Sequence, residues 1–170
     1  TIALPQPKGA LKKSLLRRPG KLREEIYSDH IHFTLVMDKD TRQLMYSAYN
    51  LDQNKLIKKV PGDGKRSWRK DGDIGAENQL GNDYYKDRTN REGEKIPNPY
   101  DKGHMVMRFN NMWGNTPAQV DKAGKATYTY ANASLQHENL NRDEWRELEL
   151  KIVREFRHGA NGKLSIFTGS

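Results

Sequence analysis

The polar residues best suited to chemistry lie at and after the hexapeptide Tyr-Asp-Lys-Gly-His-Met, residues 100–105. His104 stands where a loop enters a predicted strand, and Asn132, Asn141 and Glu149 follow it, the last two on or beside a predicted helix. A strand histidine facing oxygen ligands at a helix start is compatible with one-metal phosphodiester hydrolysis, because neutral imidazole can deprotonate water while an ion offsets charge on the phosphate. Hard oxygen ligands favour Mg²⁺ or Mn²⁺ over zinc.

Other chemistries have less support. The chain contains no cysteine, which excludes disulfides, cysteine-ligated zinc, iron–sulfur clusters and thiol catalysis. Walker-type, Gly-x-Gly-x-x-Gly and Gly-x-Ser-x-Gly motifs are also absent. His30 and His32 would share one face of a strand and could hold a metal, although such pairs more often lie on an exposed edge. No apolar run approaches the roughly 18 residues of a membrane-spanning helix.

The elements that must position these residues are predicted from periodicity and turn signals, and they indicate an α+β fold with a mixed or antiparallel sheet. One long helix is expected from 141 to 157, with Trp145, Leu148, Ile152 and Phe156 on its apolar face. The segment 110–125 carries no predicted element, and 72–99 is a long polar loop. Strands are predicted at 31–37 and 42–49, which form a hairpin, and at 106–109, 127–132 and 164–168.

The net charge of +8 is unevenly distributed. Residues 1–23 hold seven basic side chains and no acidic one, whereas the rest of the chain is almost neutral. We therefore expect a basic flexible tail at 1–28 and one domain at 29–170. The tail could follow a phosphate backbone, be a targeting remnant, or be a solvated terminus.

Five ordered blocks resemble the DNA/RNA non-specific endonuclease family, the ββα-metal or His-Me finger nucleases, whose signature is Asp-Arg-Gly-His. The core block is Asp-Lys-Gly-His at 101–104. The others are the hairpin at 31–50, Arg-Ser-Trp-Arg-Lys-Asp at 66–71, Tyr-Ala-Asn-Ala-Ser-Leu-Gln at 130–136, and Leu-Asn-Arg-Asp-Glu-Trp-Arg-Glu-Leu-Glu at 140–149. The segment 164–169 also resembles the family's next strand.

The resemblance implies a role for each matching residue. His104 would be the general base, and Asn141 the single direct protein ligand of one Mg²⁺, with Mn²⁺ as an alternative. Glu149 would hold the ion through water, Arg66 would stabilise the charged phosphate, and Asn132 would support the site. Three further basic side chains are expected to bind nucleic acid: Lys102, Arg108 and Arg69.

Each role has a structural alternative. Asn141 could be a helix N-cap, Glu149 a solvated helix charge, Arg66 a surface arginine, and Asn132 a partner for strand-end backbone groups. Asp101 is expected to anchor the motif backbone rather than bind metal.

The sequence also departs from the family pattern. Lys102 replaces the motif's arginine and loses its planar fork, and Val153 stands where many relatives have arginine. Family domains usually continue beyond the strand at 164–169, so the C-terminal part of the domain is expected to be missing or supplied by a second chain. We therefore expect the 170 residues alone to be poorly stable.

The resemblance implies a magnesium-dependent, sugar-nonspecific endonuclease that cuts DNA and RNA, with no membrane association. The alternatives are a catalytically inactive nucleic-acid-binding module of the same fold, or one half of a two-chain nuclease activated by cleavage or assembly. The sequence leaves open whether the chain forms a homo-oligomer. Export is favoured because an unrestrained nuclease would attack its own genome, and a regulated cytoplasmic effector is the alternative.

Overall fold

The computed structural model describes residues 3–17, 27–57, 66–155 and 162–170, with 27–29 described as backbone only. No helix within these ranges is long and apolar enough to cross a bilayer. The helices are α1 Gly9–Ser14, α2 Arg108–Asn111, α3 Pro117–Ala126, α4 Glu138–Arg142 and α5 Glu144–Glu155. The strands are β1 Tyr27–Asp29, β2 Phe33–Met37, β3 Leu44–Asp52, β4 Arg88–Thr89, β5 Lys95–Ile96, β6 Tyr100–His104, β7 Ala133–His137 and β8 Lys163–Gly169.

The largest sheet is antiparallel and has the strand order β1-β2-β3-β8. Its centre is the predicted hairpin of β2 and β3, which the structure confirms, and β8 confirms the predicted final strand. The hairpin turn is fixed by Asp38, whose carboxylate accepts hydrogen bonds from the backbone N–H groups of Asp40 and Thr41. Alternate residues of β2 (Phe33, Leu35 and Met37) enter the main core.

The opposite face of this sheet is covered by the N-terminal segment. Leu15 packs there with Val36 and Tyr46, and the Tyr46 hydroxyl donates a hydrogen bond to the carbonyl of Pro5. Leu16 N–H donates to the Met37 carbonyl. The end of this segment is therefore placed against the sheet, where Leu15 and Leu16 are buried, whereas Leu11 is exposed.

A second antiparallel pair, β6 and β7, is followed by α4 and α5 and forms a ββα unit. Between its strands the structure differs from the prediction. The segment 106–109 turns into α2, 110–125 contains most of α3, and 127–132 ends in a 3-10 turn at Tyr130–Asn132 before β7 begins. The α+β class with antiparallel sheets is nevertheless as predicted.

The predicted single helix at 141–157 is wrong in its start and in its buried face. It begins earlier, as α4, and is interrupted at Asp143 before α5 continues to Glu155. Leu148, predicted in the apolar stripe, is 49% exposed, whereas Glu149 is buried. Trp145 packs on the core as expected, and Phe156 lies outside the described residues.

Gly103 in the motif is required by the packing of β6 against β7. A Cβ at this position would overlap the side chain of Gln136, which is buried. We expect Gly103→Ala to lower the free energy of unfolding by about 1–3 kcal/mol because the core is already filled. Thermal denaturation measures this, and adding Gln136→Ala should recover part of the loss. Equal melting temperatures for Gly103→Ala alone and for Gly103→Ala with Gln136→Ala would contradict the assigned overlap with Gln136.

Candidate active site

His104 ends β6, and its ring lies between two aromatic side chains. The ring centroid is 4.6 Å from that of Trp68 and 4.9 Å from that of Tyr128. The carbonyl of His104 accepts a hydrogen bond of 3.2 Å from Trp145 Nε1, which ties the strand to α5. Its Nε2 atom is buried and has no hydrogen-bond partner within the described residues. The packing therefore fixes the ring while leaving one nitrogen available for chemistry.

The electrostatic environment keeps this imidazole neutral. Burial, and then the nearby positive charge of Arg108, lower the pKa of His104 to about 4. Arg108 is itself buried at the start of α2. A neutral histidine at pH 7 can accept a proton, as a general base must.

Asp101, three residues before His104, orients Asn141. Its carboxylate accepts hydrogen bonds from Asn141 Nδ2 at 2.9 Å and from Arg142 Nε and Nη2 at 2.9 and 3.0 Å. The arginine contact lowers the pKa of Asp101. Asn141 lies within α4, whose N-cap is His137. The bond to Asp101 occupies the Asn141 amide nitrogen and fixes the orientation of the amide group.

Glu149 lies one turn beyond Trp145 on the inner face of α5. Burial raises the pKa of Glu149 to about 8, a shift that a hydrogen bond with Trp145 partly opposes. Its Oε1 atom has no partner within the part of the chain that the structure describes. Burial, with a contribution from the Glu149 charge, raises the pKa of Tyr49 to about 12. A carboxylate buried this way is costly unless a cation or donor compensates its charge.

The chemistry of these side chains is compatible with a hydrated divalent ion. His104 and Glu149 each carry a buried atom with no partner within the described residues, and with the oriented amide of Asn141 they offer one amide, one carboxylate and one base. The described residues hold no group of three or more His, Cys, Asp or Glu that could bind a metal. Few direct protein ligands suit Mg²⁺, which usually keeps several of its waters.

Lys102 lies on the same side of β6 as His104, two residues away. Its Nζ donates a 2.7 Å hydrogen bond to Asn82 Oδ1. The same atom lies 5.8–5.9 Å from the ring centroids of Trp68, Tyr85 and Tyr130. Cation–π attraction thus holds the ammonium beside the His104 pocket.

The remaining predicted site residues occupy different environments. Arg66 is exposed, with its guanidinium carbon 6.0 Å from the Tyr128 ring centroid. Arg69 is exposed and donates to the Lys125 carbonyl at the end of α3. Arg66 therefore lies beside a wall of the His104 pocket, and Arg69 beside α3.

Asn132 is fully buried and serves the backbone that follows His104. Its side-chain oxygen accepts from Val106 N–H, and its amide donates to the carbonyls of Val106 and Thr127. These bonds replace ladder hydrogen bonds, so the chain turns after His104 instead of continuing as a strand.

The pair His30 and His32 does not form the shared strand face that the sequence suggested. His32 lies outside β2 with a φ of +72°, and its Nε2 is bonded to the Trp113 carbonyl. His30 Nε2 is bonded to Asp71 at 2.8 Å. Each ring therefore has its own structural partner.

Sequence reasoning missed the aromatic walls of the pocket and the role of Arg142. Trp68 was noted as part of a family block, but nothing in local spacing placed it against His104. Tyr128 was assigned to a strand. Because these contacts join residues between 24 and 41 positions apart in the chain, no periodicity signal could reveal them.

The buried Glu149 makes stability depend on pH. In the folded, metal-free protein its pKa is about 8, above the ordinary value of 4.5. The folded state therefore binds more protons than the unfolded state between these values, and stability falls as pH rises through this window, by about 5 kcal/mol in total. We expect Glu149→Gln to remove this loss. Melting temperatures in EDTA at pH 5 and pH 9 test it, and parallel pH profiles for both proteins would contradict it.

Comparisons with known proteins agree with the family that the sequence blocks resemble. The family model for DNA/RNA non-specific endonucleases matches residues 18–170. The chain is 28% identical over 144 residues to the uncharacterized protein y4fB of Sinorhizobium fredii (strain NBRC 101917 / NGR234), a match covering 81% of this chain and 20% of that protein. The chain thus spans about a fifth of that relative's length.

The fold is also similar to a solved structure. The crystal structure of the EndoG/EndoGI complex, described as showing the mechanism of EndoG inhibition, matches with a TM-score of 0.65 and 21% identity. The match covers 84% of this chain and 52% of that one, and it supports the ββα arrangement of β6, β7 and the helices after them. With the family model covering most of its length, this chain belongs to the DNA/RNA non-specific endonuclease family.

Proposed function

We propose that this chain is a magnesium-dependent endonuclease that hydrolyses the phosphodiester bonds of both DNA and RNA. The observation that carries the proposal is the buried Nε2 of a neutral His104, which has no hydrogen-bond partner among the described residues. The ring is held between two aromatic side chains in a chain of a nuclease family. Such an atom is costly to bury unless it serves a reacting group.

In the proposed reaction, His104 Nε2 takes a proton from the water that attacks phosphorus. The ring stays in place because Trp68 and Tyr128 pack on it and Trp145 holds its carbonyl. Asn141, oriented by Asp101, and Glu149 would hold the Mg²⁺, which when bound supplies positive charge to the phosphate and the leaving oxygen. Arg66, beside the Tyr128 wall, would add charge to the developing phosphorane.

Sequence tolerance follows from the chemistry of the contacts. Lys102, Arg66 and Arg69 are all suited to phosphate, which carries no base identity. Charge contacts of this kind weaken with salt, so cleavage should fall steeply as ionic strength rises. The resemblance further supports 5′-phosphate and 3′-hydroxyl products.

The test is direct. Purified protein is incubated at low salt with supercoiled plasmid and with a structured RNA, in Mg²⁺ and in Mg²⁺ with excess EDTA. We expect nicking of both substrates in Mg²⁺ only. Binding of plasmid without any cleavage would favour the inactive binding module, and cleavage that appears only after a second chain is added would favour the two-chain nuclease.

Two wider proposals follow from family membership. An inhibitory protein is a candidate partner of this chain, since the similar EndoG/EndoGI structure is described as an inhibition complex. Export, or tight regulation inside the cell, would protect the cell's own genome from a nuclease without sequence preference.

A further inference from the structure

Three neighbouring cavities lie in a row on the molecule. The first, of about 660 Å³, is lined by residues that include Arg69 and Lys122. The second, of about 370 Å³, shares Lys122 with the first and Lys55 and Trp113 with the third. The third, of about 500 Å³, extends to Lys163 on β8. Because each cavity shares wall residues with the next, the three lie in a row along the surface.

The walls of these cavities are strongly basic. Five cationic side chains line the row, and we call these side chains and the cavities between them the basic track: Arg69, Lys125, Lys122, Lys55 and Lys163.

Little of this charge is neutralised. Of the two carboxylates in the walls, Asp121 is paired with Lys125 at 2.6 Å, and Asp52 is buried and accepts from the backbone of Asn54. Within the described residues, Lys55, Lys122 and Lys163 form no ion pair. All three are exposed, so their charges face solvent along the track.

One end of the track is joined through the backbone to the residues that flank His104. Arg69 follows Trp68 in the chain, and its N–H donates to the carbonyl of Tyr128, so both walls of the pocket are directly connected to this end. In the second cavity Trp113 stacks on His32 at 3.4 Å between centroids and adds an aromatic wall. Separated cations along a row of cavities suit an extended polyanion better than a small compact anion.

We propose that the basic track binds the backbone of the substrate polynucleotide beyond the phosphate that is cleaved, with Lys122, Lys55 and Lys163 contacting successive parts of one strand. The proposal rests on the proposed nuclease function, since the strand on the track is the same strand that is cleaved at His104. It predicts that the track contributes affinity for long substrates and nothing for short ones.

The experiment measures binding without turnover. A fluorescein-labelled single-stranded DNA 20-mer and a trinucleotide are titrated with protein in EDTA, and anisotropy gives Kd across a range of salt. The variant replaces Lys55, Lys122 and Lys163 with Gln. The control makes the same change of charge at Lys39, Lys95 and Lys151, which are exposed and do not line the track. Circular dichroism confirms that both variants are folded.

We expect the track variant to lower the slope of log Kd against log salt for the 20-mer by about 2, since each phosphate contact on a single strand contributes about 0.7. Its 20-mer Kd should rise at least about tenfold at low salt, with the trinucleotide Kd unchanged. An unchanged slope would overturn the proposal that the track binds the strand. An equal loss of affinity for the trinucleotide, or an equal loss in the control variant, would overturn it too. If the unmodified protein shows no salt-dependent binding, both the proposed nuclease function and the role of the track would be overturned.

Discussion

His104→Ala is expected to lower the rate of plasmid cleavage by about 10²- to 10⁴-fold, the usual contribution of a positioned general base. The imidazole is buried between Trp68 and Tyr128, and its low pKa of about 4 keeps it neutral at every pH at which the enzyme would be assayed. The rate of nicking under single-turnover conditions in Mg²⁺ measures the effect. DNA affinity in EDTA should change little, because the loss concerns proton transfer.

The control for this substitution is His137→Asn. His137 is an exposed histidine that caps α4 through its Nδ1, and asparagine is a good N-cap residue. The control should cleave at the rate of the unmodified protein. Cleavage by His104→Ala within about threefold of the unmodified rate would contradict the assigned base.

Asn141→Ala is expected to produce the second large loss, about 10²-fold or more at 1 mM Mg²⁺, because removing even an indirect metal partner typically costs 10- to 100-fold. Its amide nitrogen is held by Asp101, and its oxygen is the proposed ligand of the ion. The activity should rise as Mg²⁺ is increased further, since the defect is one of metal affinity. Mg²⁺ titrations of the cleavage rate measure the shift.

Asn139→Ala is the matched control, because it removes the same side chain from an exposed position on the same helix. Its Mg²⁺ dependence should be that of the unmodified protein. Equal Mg²⁺ dependence of Asn141→Ala and Asn139→Ala would show that Asn141 does not hold the ion.

The elements best predicted from sequence are those whose signals are local. The hairpin of β2 and β3 follows from β-branched and aromatic runs around an Asp turn, and β8 from the same pattern. In contrast, α3 was missed because its buried residues, such as Val120, Ala123 and Gly124, are mostly small and give a weak apolar stripe. Its start signals, a Thr116 cap followed by Pro117, were present in the sequence.

Tertiary contacts explain the remaining differences between the predicted elements and those in the structure. The apolar run after His104 favours a strand, but the Asn132 side chain takes both backbone groups of Val106, and the chain turns into α2. The buried Glu149 displaced Leu148 from the expected inner face of α5. The predicted roles of His104, Asn141 and Glu149 came from the family motif, and their spacing alone could not place one near another.

The most direct test of the account is chemical rescue of His104→Ala by imidazole. Removing the side chain leaves a space between Trp68 and Tyr128 that a free imidazole of the same shape could occupy. With Mg²⁺ present, we expect added imidazole to restore plasmid cleavage in a saturable manner, and only in its neutral form. The same concentrations should not accelerate the unmodified protein or rescue Asn141→Ala. Failure of imidazole to raise the rate of His104→Ala at any concentration, while the unmodified protein cleaves normally, would contradict the claim that His104 is the base.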